Sequence, residues 1–165
     1  MRIRSLSPPD RAPLIEIISE GETFRPDEVS CAIELLDAAL ARADGNTYEA
    51  MVATADGVDV PIGYVCFGQT PMTDATFDVY WLVVAASARG RGTGRRLLAA
   101  TEAHLRERGG RTIRVETSSL EGQGGAARFY ERTGYRRVGV IPDYSQLPHG
   151  ALCGTTFFYR RFPAC

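Results

Sequence analysis

Arg89-Gly90-Arg91-Gly92-Thr93-Gly94, followed at once by Arg95, Arg96, Leu97 and Leu98, is the stretch that decides how this chain is read. An apolar run from Val79 to Ala88 leads into it and an amphipathic pattern leads out, so it reads as strand, glycine-rich turn and helix. No Asp or Glu occurs between Val79 and Thr101. Glycines let the backbone approach a ligand and take positive φ. The N–H groups of a first helical turn point outward at the positive end of the helix dipole. The stretch is therefore a place for an anion, above all a phosphate.

Working outward, Thr76 to Ala86 predicts a strand that is apolar on both faces, with Phe77, Val79, Trp81 and Val83 on one and Leu82 and Val84 on the other. Such a strand belongs at the centre of a sheet. Asp78 and Tyr80 are its polar exceptions and are expected opposite Trp81. Downstream, Gly92 to Arg108 predicts a helix, Gly109-Gly110 a stop, and Arg111 to Thr117 a strand, which together imply a parallel pair with a right-handed crossover. Gly122 to Gly125 is a second glycine-rich connection before a short helix with Ala126, Phe129, Tyr130 and Thr133 inward. Tyr135 to Ile141 and Leu152 to Arg161 predict two last strands, with a loop over Pro142 to Gly150 between them.

Upstream, Arg2 to Leu6 is a short strand, and Ser7-Pro8-Pro9-Asp10 opens a helix over Arg11 to Glu20 that Gly21 ends. Pro26, Asp27 and Glu28 form a first helical turn, and Val29, Ile33, Leu36 and Leu40 carry the helix to about Arg42. Tyr48 to Thr54 and Val60 to Gln69 form a hairpin-like pair with a turn at Asp56-Gly57. The expected fold is α+β, three layers α/β/α, with about seven strands, mostly antiparallel, one central βαβ crossover and about four helices. It is read as a single domain over residues 1–165.

The formal net charge of −1 gives no global attraction to nucleic acid or a membrane, so anion binding must be local. No apolar run has membrane length, and no leader-like segment opens the sequence. Cys31, Cys66, Cys153 and Cys165 are widely spaced and without a CxxC pair, which suits reduced thiols in the cytoplasm and no metal.

Three phosphate patterns compete for the opening stretch. A Walker loop requires a Lys after its glycines, and none follows here. A dinucleotide fingerprint starting at Gly90 meets Arg95 at its third glycine, and one starting at Gly92 meets Leu97. The third pattern fits: Arg89-x-x-Gly92-x-Gly94 resembles the acyl-CoA pyrophosphate loop of the GNAT superfamily of N-acyltransferases. Tyr80-Trp81-Leu82-Val83-Val84 resembles the central strand of that family, and Phe129-Tyr130 with Gly134-Tyr135 resembles its FYxxxGF segment. The resemblance implies that the central strand and the Arg111–Thr117 strand splay apart at a bulge. Pantetheine would pair there with the backbone of Leu82, Val83 and Val84. The pyrophosphate would rest on Arg89, Gly90, Arg91, Gly92, Thr93 and Gly94. Acetyl-CoA is the implied acyl donor.

Acyl transfer to an amine needs a base, because an alkylamine with a pKa of about 10.4 costs roughly 4–5 kcal/mol to neutralise near pH 7. It also needs an acid for the departing thiolate and donors for the oxyanion. By the resemblance Tyr130 is the acid, close to the cofactor sulfur, and Glu116 is a candidate base, with Asp78 and Tyr80 on the central strand as alternatives. His104 is expected at the surface, and His149 is a minor loop candidate. The acceptor is expected to meet Phe24, Phe67, Thr70, Tyr80 and Tyr144, with the acids Glu22, Asp74, Asp78 and Asp143 on the same connections suiting a cationic amine. The expected activity is acetyl transfer to a primary amine of a small molecule or peptide by direct attack in a ternary complex. The alternative is a regulatory module that binds acyl-CoA without turnover. Exposed sheet edges leave a homodimer open, and no nucleic-acid or membrane partner is expected.

Overall fold

The computed structural model describes residues 1–20, 24–119, 124–146 and 150–163. Its strands and helices in chain order are β1 (Arg2–Ser5), α1 (Arg11–Ser19), α2 (Pro26–Ala41), β2 (Tyr48–Thr54), β3 (Pro61–Gln69), β4 (Thr76–Val84), α3 (Thr93–Glu107), β5 (Thr112–Ser118), α4 (Gly124–Arg132), β6 (Arg136–Gln146) and β7 (Leu152–Arg161). The strands form one seven-stranded sheet in the order β1-β2-β3-β4-β5-β7-β6. Only the β4–β5 pair is parallel among the described residues, and α3 is its crossover. The α+β expectation with a central βαβ unit is met.

Helices pack on both faces of the sheet where β3 and β4 are apolar on both. On one face Leu14, Ile18 and Leu36 from α1 and α2 close over Val52, Tyr64, Cys66 and Val83. On the other, Leu97, Leu98 and Leu105 from α3 and Tyr130 from α4 close over Phe67, Val79, Ile113, Val115 and Phe158. The start of α1 is fixed to β1 by Asp10, which is 2% exposed and accepts from both Arg4 Nη1 and Nη2 at 2.7 Å. Arg11 then joins α1 to α2 through Asp37, with Nε–Oδ1 at 2.6 Å.

The structure corrects the sequence reading in several places. The apolar run does not stay a strand to Ala86; β4 stops at Val84, and Ala86–Ala88 forms a 3-10 turn. The supposed loop after Ile141 is strand as far as Gln146, because β6 is an edge strand and tolerates Pro142 at a register shift between Ile141 and Ser145. Part of the second glycine-rich connection is helical, since α4 begins at Gly124. The helix stop assigned to Gly21 lies outside the described residues.

The largest correction concerns β4. Cys66 pairs with Trp81 and Phe67 with Val79, so Tyr80 is an extra residue on β4. The bulge breaks the alternation of faces. Phe77, Val79 and Leu82 pack under α3, whereas Tyr80, Trp81 and Val83 all pack under α1 and α2. Tyr80 therefore lies on the same face as Trp81, not opposite it.

Candidate active site

The β4–β5 ladder runs from Thr76–Thr112 to Val79–Val115 and stops where the bulge begins. Beyond it the two strands diverge, as the resemblance implied. Ala85 donates to Ile62 of β3 at 3.0 Å. By the alternation of an antiparallel ladder, Val83 also addresses β3, while the N–H and C=O of Leu82 and Val84 turn toward β5. Arg89 Nε donates to the Val84 carbonyl at 3.0 Å, which places that oxygen on the divergent side. Of the expected Leu82–Val84 backbone contacts, two residues thus face the gap and Val83 does not.

The gap leads to the glycine-rich turn. Gly90 and Gly92 have φ of 72° and 79°, a region that costs a residue with a Cβ about 1–2 kcal/mol. Gly92 caps α3, and its carbonyl accepts from Arg96 N at 3.0 Å. The turn is anchored below by buried Thr93, whose hydroxyl donates to Ala88 O at 3.1 Å. Arg89, Gly90, Arg91 and Gly92 are all exposed. A Cβ on Gly94 would reach the Phe129 ring at 3.6 Å, so the turn and α4 adjoin. Exposed backbone, a helix N-terminus, and Arg89 and Arg91, which make no ion pair among the described residues, suit the diphosphate of an acyl-CoA.

Tyr130 is buried, with its ring 5.2 Å from Phe129, 5.6 Å from Tyr135 and 5.9 Å from Phe158. Burial raises its phenol above the ordinary tyrosine value, which keeps the proton on. That state suits a proton donor.

Glu116 lies just past the end of the β4–β5 ladder. Ile113 and Val115 belong to the core under α3 and α4, so Arg114 and Glu116 face the α1/α2 side. On β7, Phe157 stands opposite Glu116 and Tyr159 opposite Arg114, so both share that face. The α1 and α2 helices pack on β2, β3 and β4, leaving this part of the sheet as an open surface. Tyr144 joins it from β6, edge-on to Phe157 at 5.4 Å. Glu116 makes no ion pair among the described residues, while Tyr130 lies on the other face of the sheet.

The remaining candidates divide. Asp78 is buried, and both its oxygens are occupied: Oδ1 accepts from Arg114 Nε at 2.5 Å and Oδ2 from Thr70 Oγ1 at 2.9 Å. Asp78 in turn raises the Arg114 guanidinium above its ordinary value. This is an ion-pair geometry rather than that of a base awaiting a proton, and it spends the Thr70 hydroxyl as well. Phe67 is 1% exposed, in the core under α3 and 5.9 Å from the His104 ring, so it is removed from the acceptor lining. Its side chain follows the register of β3, which turns it inward. Tyr80 is half-buried against Tyr48 at 5.3 Å, and burial, with Asp78 adding to it, pushes its phenol up to about 12. Phe24 is edge-on to Trp81 at 5.4 Å. Asp74 is paired with Arg111. Glu22 and His149 lie outside the described residues. His104 is half-buried rather than at the surface, with Nε2 3.1 Å from Glu49.

Sequence reading missed Arg114, Phe157 and Tyr159. The alternation Ile113-Arg114-Val115-Glu116 carries a signal for the first, but the other two come into view only through the β5–β7 register.

The comparisons with known proteins bear on the family and the fold. The description of the acetyltransferase (GNAT) domain matches residues 46–137. Blasticidin-S acetyltransferase of Streptomyces morookaense is 46% identical over 68 residues, a match covering 41% of this chain and 46% of that protein, so the chain matches about half of that relative's length. A GNAT-family protein from Desulfovibrio desulfuricans superposes with a TM-score of 0.87 at 30% identity, over 97% of this chain and 98% of that one. An aminoglycoside 6'-N-acetyltransferase complexed with coenzyme A has the same fold, with a TM-score of 0.74 at 20% identity over 100% and 99% of the two chains. With its splayed central strands, its glycine-rich turn and a domain match over more than half its length, the chain belongs to the GNAT family of acetyltransferases.

Proposed function

We propose that the protein transfers an acetyl group from acetyl-CoA to a primary amine of a small molecule or peptide, by direct attack in a ternary complex. The observation that carries this is the divergence of β4 and β5 after Val79–Val115, with the candidate acid and the candidate base on opposite faces of the sheet. A thioester threaded between the strands would meet the amine on the α1/α2 side and release its sulfur toward α4.

Acetyl-CoA supplies the activated acyl group. The residues that would hold it are Arg89 to Gly94 for the pyrophosphate, and Leu82 and Val84 for pantetheine. Glu116 takes the proton of the incoming ammonium, directly or through water, and its negative charge favours a cationic acceptor. Tyr130 donates its phenolic proton to the departing thiolate, which its burial suits. Asp78 acts on this surface indirectly: by holding Arg114 it keeps that guanidinium from pairing with Glu116. Phe24, Trp81, Tyr80, Phe157 and Tyr144 supply apolar and aromatic walls for the body of the acceptor. The blasticidin and aminoglycoside enzymes among the similar proteins carry names of small-molecule amines and support this acceptor class.

The experiment is a thiol-release assay with acetyl-CoA over a panel of small-molecule and peptide amines. Turnover with any of them supports the reading. CoA binding without turnover across the panel would replace it with a regulatory module.

A further inference from the structure

The open sheet face that carries Glu116 also carries a guanidinium with unused donors. Arg114 and Glu116 stand two residues apart on β5 and share that face, so their Cα atoms are about 6–7 Å apart. A guanidinium has five N–H donors in a rigid fork. Asp78 engages Arg114 through Nε, and the two Nη groups make no hydrogen bond among the described residues. Asp78 is buried, whereas the Arg114 side chain is 47% exposed, so those donors are presented to the open face. Glu116 and Tyr144 add to Asp78 in favouring the charged guanidinium, which puts both within electrostatic reach of it. The β5–β7 and β6–β7 registers place Tyr159 between Arg114 and Arg136 in one row across the sheet. Arg136 is exposed and makes no ion pair among the described residues. The next row is Glu116, Phe157 and Gly139.

The face is therefore dipolar, with an unpaired carboxylate in one row and two guanidiniums with spare donors in the row beside it. A plain alkylamine would meet Glu116 and leave the guanidiniums without a partner. A polycation would bring like charge against them. An acceptor with a carboxylate as well as an amine satisfies both rows, because the Nη pair of Arg114 matches two carboxylate oxygens. We propose that Arg114, with Arg136 adding positive charge, selects zwitterionic acceptors of the amino-acid type, holding their carboxylate on the Arg114 fork and their amine at Glu116. The carboxylate is held and takes no part in the transfer. The inference rests on the acetyl-transfer reading above and narrows its acceptor.

Thiol release from acetyl-CoA, measured over matched pairs of a free acid and its primary amide, tests it. The pairs are ω-amino acids, in which the distant amide hardly alters the amine, α-amino acids and dipeptides. Wild type is expected to turn over the acid about tenfold better in kcat/KM than the amide. Arg114→Lys keeps a positive charge beside buried Asp78 but loses the fork. It is expected to bring that ratio to within about twofold by raising KM for the acid. Turnover of the amide by the variant shows that it is folded. A wild-type ratio within about twofold, or a preference for the amide, would overturn the carboxylate subsite and leave the transfer reading standing. So would a variant that lowers kcat on acid and amide alike, since Arg114 would then only brace Asp78. Turnover confined to amines without a carboxylate would overturn the subsite in the same way. Absence of turnover with every amine would overturn the transfer reading and this inference with it.

Discussion

Tyr130 and Glu116 lie on opposite faces of one sheet, and the pairing of β4 with β5 ends at Val79–Val115, one residue before Glu116. The proposed direct transfer would use this arrangement, with the amine on one side and the departing thiolate on the other. Tyr130→Phe keeps the ring contacts and removes the proton. It is expected to slow transfer about a hundredfold with CoA affinity nearly unchanged, measured by thiol release and calorimetry. Since the phenol is raised, the wild-type rate should show no loss of this acid as pH rises through about 10, the ordinary tyrosine value. Glu116→Gln should lower the rate by a similar factor, whereas Asp78→Asn should chiefly lower stability by loosening Arg114. Tyr130 stands out in the sequence through a local motif. The ion pair that occupies Asp78 could not be read there, because its partner Arg114 lies 36 residues away in the chain.

At the scale of elements, the bulge at Tyr80 and the turn after β4 shape the candidate site. The turn was legible because glycine spacing and helix onset are local features. The bulge's effect was not, because it is set by the cross-strand register of Cys66 and Phe67 on β3 against Trp81 and Val79, which no local pattern in either strand carries. The same reason explains β6: Pro142 signals a break locally, yet pairing with β7 carries the strand past it. Gly92, at φ 79°, caps α3 under the proposed pyrophosphate. Gly92→Ala should cost about 1 kcal/mol of stability and weaken CoA binding severalfold, measured by urea denaturation and calorimetry.

At the scale of the whole molecule, two cores back one sheet, and the fold class was legible because β3 and β4 are apolar on both faces. The order of the last strands was not, since β7 inserts between β5 and β6 and so brings Phe157 beside Glu116. Global stability should carry the signature of Asp10. Burial alone would push this carboxyl up, but hydrogen bonds from Arg4 and Ser7 hold it below its ordinary value. A depressed folded-state value adds stability above the unfolded pKa of about 3.9, and that stability is lost as pH falls through the folded value. Asp10→Asn should therefore cost about 3 kcal/mol at pH 7, with the difference from wild type shrinking below about pH 4, as read by denaturation at each pH.

The central claim is that the divergence of β4 and β5 receives the acyl donor, and a crystal structure of the chain with CoA measures it most directly. The account predicts pantetheine between the two strands, hydrogen-bonded to the backbone of Leu82 and Val84, with the pyrophosphate on Arg89 to Gly94 and the sulfur close to Tyr130. CoA bound elsewhere, or strands that close beyond Val79 and Val115 when it binds, would contradict it.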